Sequence, residues 1–208
     1  MAFCTLAVNE PYNKRALELS KKINNLHVLT DHPEWFKSNA FLFKDDKTHI
    51  WQQKRHIIKE TLRYNKQAIF IDSDIILFNS IAEPVLDNTI SGYVVGTVKS
   101  YTSFHKNTAW PILDRLSCYL GVDWHQAAWV SPMLFGVKAN SSKFLETWDN
   151  IAFWLRDNGG YIFNDGNTIG LAALAAGLVP KQESVYKSIY DSFSHLRLGD
   201  WRQKNILA

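Results

Sequence analysis

Two acidic residues, Asp72 and Asp74, interrupt an apolar run and have the types and spacing of a cation-binding pair. Mostly apolar residues lead up to them at 67–71 and resume at 75–78, which predicts a buried strand interrupted by carboxylates. Side chains two positions apart on an extended strand point the same way. Carboxylates this close repel unless a cation or protons relieve them, and oxygen ligands favour Mg²⁺ or Mn²⁺ over zinc. The alternative is two acids that cap the next segment or pair with surface lysines.

The elements around this pair predict an α/β fold. Strands alternate with helices along the chain, which is typical of an α/β sandwich with a mainly parallel sheet. In such sheets ligands bind beyond the carboxyl ends of the strands, where the acids lie. The predicted strands are 3–8, 26–30, 67–71, 92–98, 133–137 and 185–189; the predicted helices are about 10–24, 51–64, 109–120, 142–158 and 165–176; 31–50 is predicted as a surface excursion and 99–109 as a polar loop.

Composition limits the class of protein and partner. The 208 residues are 46% hydrophobic and 21% charged, as in one ordinary globular domain, which argues against disorder, collagen and coiled coil. The net charge of +3 is too small for extensive phosphate neutralisation on a nucleic acid but suits a diphosphate ligand. Cys4 and Cys118 form no metal-binding or disulfide pattern, so reduced thiols are expected. Without a leader or a long apolar window, we expect a cytoplasmic protein with no membrane span.

The first predicted strand and helix offer a place for a nucleotide. A strand end followed by a helix N-terminus presents unpaired N–H groups, and Tyr12, one turn into the helix, could supply a stacking platform. Tyr12 as an ordinary amphipathic helix residue is the alternative. The segment 5–17 resembles the opening of glycogenin-like and bacterial galactosyltransferase-like enzymes of the retaining GT-A class. That resemblance implies that Leu6 and Val8 contact the base through their backbones, that Asn9 bonds to the nucleotide, and that Tyr12 stacks on the base.

The resemblance continues near the C-terminus. His195, followed by Gly199 and Lys204, looks like the family's His-x-x-Gly-x-x-Lys segment with longer gaps. It implies that His195 completes a metal site with the two acids and that Gly199 and Lys204 hold the diphosphate. Because the gaps differ, Arg202 or Arg197 could equally take the phosphate role. Mn²⁺ accepts both oxygen and nitrogen ligands, so this mixed set is chemically reasonable.

Two further positions follow from the resemblance. Lys54, in the helix before the acidic pair, is the candidate for a basic residue that reaches the donor, with a solvated lysine as the alternative. Asp165, at the head of a helix, matches the acid that lies beside the transferred sugar, with an ordinary helix cap as the alternative. Ser73, between the two acids, is grouped with the nucleotide contacts. The family's glutamine is Gly166 here and its Asn-Ser-Gly is 131–133, differences that bear on donor and acceptor specificity.

The resemblance implies a single GT-A domain over 1–208, a Rossmann-like α/β/α sandwich with a nucleotide-binding half at 1–100 and an acceptor half at 101–208. The expected activity is metal-dependent transfer of a sugar from a nucleotide sugar, above all a UDP-sugar, to a saccharide or other acceptor, with retention. One alternative is a nucleotidyltransferase or phosphohydrolase. The haloacid-dehalogenase version of that alternative is disfavoured because Ile76 stands where a hydroxyl residue is normal. Another is a catalytically silent carbohydrate- or nucleotide-binding module.

Overall fold

The structure is a computed structural model that describes residues 2–77, 81, 85–104, 110–159, 165–183 and 186. Strands and helices alternate over most of this range, and three 3-10 helices lie between them at Pro33–Trp35, Ile50–Gln53 and Trp124–Gln126. The strands are β1 (Ala2–Ala7), β2 (His27–Thr30), β3 (Ala40–Leu42), β4 (Gln67–Ile71), β5 (Ile90–Thr97) and β6 (Ala128–Lys138). The helices are α1 (Glu10–Ser20), α2 (Lys54–Tyr64), α3 (Val98–Phe104), α4 (Trp110–Leu120), α5 (Ser142–Asp157) and α6 (Asp165–Ala175).

The described strands form one mixed, mostly parallel sheet in the order β3-β2-β1-β4-β6-β5. β1 to β4 all run in the same direction, whereas β6 is antiparallel to both of its neighbours. Beyond the edge strand β5, Lys181 forms one further parallel bridge with Ser91. Helices flank this sheet, so the α/β prediction is confirmed, and the order is compatible with a Rossmann-like fold.

The order of the strands creates a switch point between β1 and β4. The chain moves outward from β1 through β2 to β3, and then returns through α2 to place β4 on the other side of β1. Connections that leave two neighbouring parallel strands in opposite directions open a crevice at their carboxyl ends, which is where open α/β sheets bind ligands. The residues that follow β1 and β4 therefore border the natural ligand site of this sheet.

Side chains that alternate along the strands fill two separate cores. Phe3 and Ile69 belong to an α1-side core, together with Ala16 and Leu19 of α1. Their neighbours in the strands belong to an α2-side core that includes helices α2, α4, α5 and α6; its strand and helix members include Cys4, Phe70, Ile57, Leu113, Trp148 and Ile169. Burial on both faces explains why the strands read as continuous apolar runs. It also fixes the sheet rigidly beneath the switch point.

Several details of the structure differ from the sequence prediction. The strand predicted over 133–137 begins at Ala128, so that 131–133 lie within β6 rather than before it. The stretch 31–50 contains β3, a third parallel strand of three residues, which is too short to produce a periodic signal. The predicted loop 99–109 is helical through α3 as far as Phe104, with Val98 and Thr102 buried on its inner side. The predicted resumption of a strand at 75–78 is wrong for 75 and 76, which have no regular structure, whereas 77 forms a β-bridge and 78 lies outside the described residues.

Most of the predicted last strand, 185–189, lies outside the described residues, although Tyr186 is described and buried. In the described part of the chain, no helix combines the length and apolar character needed to cross a membrane.

Candidate functional site at the ends of β1 and β4

Asp72 and Asp74 follow β4 directly and lie at the switch point. The backbone N–H of Asp72 donates to the Met133 carbonyl at 2.9 Å, which extends the ladder with β6 by one residue. The chain then turns, because the Ile75 N–H donates to the Asp72 carbonyl at 3.2 Å. The chain does not stay extended beyond Asp72, which was the condition for the two side chains to point the same way as in a strand. A tight turn places both carboxylates at the mouth of the crevice, each partly buried, with Ser73 buried between them.

The two carboxylates are held in an environment that resists their ionisation. Burial raises the pKa of Asp72, and the attraction of Lys54 offsets this only in part. Burial also raises the pKa of Asp74 to about 6, with the charge of Asp72 as the second cause. The guanidinium of Arg15 on α1 donates to the Asp74 carbonyl at 3.3 Å, which ties the turn to the neighbouring helix. Carboxylates whose pKa values are raised by burial and by a neighbouring charge are a recognised mark of a functional site.

Lys54 lies at the centre of the site. It is the first residue of α2, and its Nζ lies 2.8 Å from Asp72 Oδ1 and 2.8 Å from Asp165 Oδ2. It also donates to the Pro132 carbonyl at 3.0 Å. Burial lowers the pKa of Lys54, but the carboxylates of Asp165 and Asp72 more than offset this and raise it above its ordinary value. The alternative of a solvated lysine is wrong, since the residue is only 5% exposed.

Asp165 reaches the site because α6 lies unusually close to β6. A Cβ atom at Gly170 would overlap the Ala128 carbonyl oxygen, and one at Gly166 would overlap the Val130 carbonyl oxygen. Both positions require glycine for this contact, and they lie one helical turn apart on the same face of α6. The close approach places Asp165, the first residue of α6, inside the protein at 3% exposure. The structure thus brings a sequence-distant acid to the pair after β4.

The end of β1 and the start of α1 form the other wall of the crevice. Leu6 lies within β1, Val8 follows it, and Asn9 precedes the first helical residue. Asn9 has a φ of 77°, a left-handed conformation that few residues other than glycine adopt. Tyr12 is partly buried and packs against the α1-side core. At this end of α1 the N–H of Asn9 donates to Asp31, those of Tyr12 and Asn13 donate to the Asn9 carbonyl, and residue 11 is a proline without an N–H. What the helix start offers an anion is therefore the positive end of its dipole.

Asp31 is a residue of this wall that sequence reasoning did not select. The Asn9 N–H donates to its Oδ1 at 3.1 Å and its Oδ2 at 3.0 Å, and the Asn13 amide donates to Oδ1 at 2.7 Å. Burial acts to raise the pKa of Asp31, but these hydrogen bonds hold it below its ordinary value. The residue holds the strained Asn9 in place. A signal was present, because Asp31 follows β2 just as Asp72 follows β4.

The acids at the switch point suit a divalent cation. They supply hard oxygen ligands, and a nearby cation would offset the burial and the neighbouring negative charge that raise their pKa values. Within the described residues, no group of three or more His, Cys, Asp or Glu side chains could hold a metal ion, so Asp165 does not complete such a set. The predicted third ligand, His195, lies outside the described residues, as do Gly199, Arg202, Lys204 and the alternative Arg197. Asp72 and Asp74 are therefore the described ligands that fit the ion.

No protein-family model matches the chain, and no curated protein matches it either. Its function has to be inferred from the chemistry of the site.

The arrangement can bind a negatively charged ligand through a cation and a helix N-terminus. Three acids, Asp72, Asp74 and Asp165, lie here against the basic groups of Lys54 and Arg15, and a divalent cation would be favoured in such an acid-rich set. The acidic cluster and the start of α1 both follow strands at the carboxyl edge of the sheet. A diphosphate between them would meet a bound cation at one end and the positive end of the helix dipole at the other.

Proposed function

We propose that the chain is a metal-dependent glycosyltransferase that transfers a sugar from a nucleotide sugar, a UDP-sugar above all, to a saccharide or other glycan acceptor. One observation carries the proposal. Two partly buried carboxylates with raised pKa values, Asp72 and Asp74, follow β4 at the switch point of a mostly parallel sheet. The resemblance of the N-terminal segment to retaining GT-A enzymes supports the same function.

The nucleoside end of the donor is assigned to the wall formed by β1 and α1. The backbone of Leu6 and Val8 would contact the base, and Asn9 and Tyr12 would bind the nucleotide. The left-handed backbone of Asn9, held by Asp31, supports this assignment because such strain is concentrated at ligand sites. A held loop also binds its ligand with less loss of conformational entropy.

The diphosphate and the sugar are assigned to the acidic side of the crevice. Asp72, Ser73 and Asp74 would hold the cation and the diphosphate, with the C-terminal residues named above as further contacts. When bound, a divalent cation supplies positive charge that stabilises a departing diphosphate. Asp165 would lie beside the sugar, where its buried carboxylate can orient a hydroxyl group or stabilise positive charge at the anomeric carbon. Its fixed position, paired with Lys54, suits an electrostatic role more than proton transfer.

Calorimetric titration of UDP tests the proposal. We expect wild-type protein to bind UDP with Mn²⁺ present and to lose that binding in EDTA. Asp74→Asn should weaken the binding by at least about tenfold, or about 1.4 kcal/mol, because the amide cannot replace a charged ligand. Asp157→Asn is the matched control, since Asp157 is 59% exposed in a surface ion pair with Arg156. UDP binding that is equally strong in EDTA or in Asp74→Asn would contradict the cation site.

A second assay separates the activities that share such a site. Release of UDP from a panel of UDP-sugars, with and without saccharide acceptors, would support transfer. Cleavage of p-nitrophenyl phosphate would instead favour a phosphohydrolase. Donor binding with neither reaction would favour a silent binding module.

A further inference from the structure

Three acceptors within the protein surround the ammonium group of Lys54. Its Nζ lies 2.8 Å from carboxylate oxygens of both Asp72 and Asp165, and it donates to the Pro132 carbonyl at 3.0 Å. With its side chain 7% exposed, little of the ammonium group is open to a phosphate or a sugar hydroxyl. The resemblance, by contrast, implies a basic residue that reaches the donor.

Burial of Lys54 would be unfavourable without these partners. Its side chain is 7% exposed, and a buried ammonium group is costly without paired charges. It also begins α2, and a positive charge at a helix N-terminus opposes the helix dipole. The Phe70 ring, 4.8 Å from Nζ, provides a weaker favourable contact. Asp72 and Asp165 are therefore the main reason that the side chain is stable in this position.

Lys54 and Asp165 are both anchored on β6. Lys54 is held to β6 through Pro132, and α6, which carries Asp165, lies directly on β6 through Gly166 and Gly170. A shift of either element would change the distance between Lys54 and Asp165. Such a rigid arrangement is what a reaction site needs, because small misplacements of its groups are costly.

We propose that Lys54 is a positioning residue whose ammonium group links Asp72, on the cation side of the site, to Asp165, on the sugar side, without contacting the donor itself. The names of the two sides rest on the proposed function. The linkage itself depends only on this chain.

A double-mutant cycle in the ligand-free protein tests the linkage. Lys54→Met keeps the apolar stem but leaves two buried carboxylates without their cation, and we expect its melting temperature to fall by roughly 10 °C. Asp165→Asn removes one of these carboxylates, so the double variant should regain a large part of that loss. Additive changes in melting temperature would overturn the linkage, because residues that interact show non-additive effects.

UDP affinity with Mn²⁺ distinguishes positioning from direct contact. If Lys54 positions the acids, Lys54→Met should weaken UDP binding by about tenfold, and adding Asp165→Asn should restore part of it. If Lys54 instead contacted the donor, its loss would weaken binding to the same extent with or without Asp165. That result would overturn the proposal.

Lys59→Met is the matched control. Lys59 lies further along the same helix α2 and pairs with Asp149 of α5. The substitution should lower the melting temperature without changing UDP affinity. If Lys54→Met gave the same pattern, the linkage would be purely structural and the positioning role would be wrong. If wild-type protein failed to bind UDP with Mn²⁺, the glycosyltransferase function would fail, while the melting temperatures would still decide whether the linkage exists.

Discussion

Two neighbouring residues at the start of α2, Lys54 and Arg55, form two buried ionic clusters with opposite properties. Arg55 is fully buried, and its guanidinium donates to Asp149 Oδ1 at 2.7 Å, to the Gln52 carbonyl at 2.7 Å and to Asp46. Lys54 is almost as buried and also pairs with two acids. One cluster lies beside the polar loop before α2 and the other at the switch point of the sheet.

The acids of the two clusters differ in how well their charge is satisfied. Burial acts to raise the pKa of Asp46, but hydrogen bonds from Thr48 and His56 and the charge of Arg55 hold it well below its ordinary value. In the Lys54 cluster burial prevails, and the pKa values of Asp72 and Asp74 are raised. The Arg55 cluster is thus complete within the protein, whereas the Lys54 cluster retains negative charge that a ligand could satisfy. Burial of charged groups alone does not mark a functional site. Buried acids at a ligand-binding edge of the sheet whose charge is not balanced within the protein are a better mark.

Removal of Arg55 should give the largest effect on the fold. Arg55→Met would leave Asp46 and Asp149 partly buried without their main cation, and we expect a loss of about 3–5 kcal/mol in the free energy of unfolding. Urea denaturation measures this loss. Arg63→Met is the control, because Arg63 is 67% exposed in a pair with Glu60 on the same helix and should cost well under 1 kcal/mol. A small effect of Arg55→Met would break the distinction between the two clusters.

Asp72 and Asp74 could be predicted as site residues from the sequence, but little of the Arg55 cluster could. The strand at 67–71 and the acids after it lie together in the chain, so a local pattern reveals them. The contacts of Lys54 and Arg55 reach α6 and α5, far along the chain, and no local period encodes them. Lys54 itself was selected only through the resemblance, which indicates neither its burial nor its two acidic partners.

The elements of the fold that could be predicted were likewise those with a local sequence pattern, and the ones that were missed depend on distant contacts. Elements with a strong local pattern were predicted within a few residues, among them α5 with its apolar period and β1 and β4 with their continuous apolar runs. β3 was missed because three residues carry no period, and α3 was missed because its sequence is polar and its burial comes from tertiary contacts. The glycines of α6 read as a run of small residues until the structure shows the carbonyl groups beneath them.

Gly170→Ala should disturb the Lys54 cluster while leaving the Arg55 cluster intact. The added methyl group would overlap the Ala128 carbonyl and push α6 away from β6, at a cost of about 1–3 kcal/mol in the free energy of unfolding. Because Asp165 moves with α6, UDP affinity with Mn²⁺ should fall as well. Gly121→Ala is the control: its φ of 67° makes alanine strained, but no atom lies within 4 Å of the new methyl group. Equal effects of the two changes on UDP affinity would count against the docking of α6 as the cause.

The smallest expected effect is a pH dependence. The contributions of Asp74 and Asp46 to stability should change with pH in opposite directions. Asp74 has a raised pKa of about 6 in the folded protein against an ordinary value of 3.8, so the folded state holds the extra proton between these values. Stability therefore falls as the pH rises through this window, and the full penalty is present at pH 7. Asp74→Asn should remove it and stabilise the metal-free protein by roughly 2 kcal/mol at pH 7, with no gain below pH 4.

Asp46 has a lowered pKa, so its contribution is favourable above its ordinary value and is lost as the pH falls towards the folded value. Asp46→Asn should therefore destabilise the protein at pH 7. Thermal unfolding of both variants from pH 2 to pH 8 without metal measures the two trends. If Asp74→Asn destabilised the protein at pH 7, the carboxylate would be as well satisfied as Asp46. The contrast between a completed ionic cluster and one that awaits a ligand would then not hold.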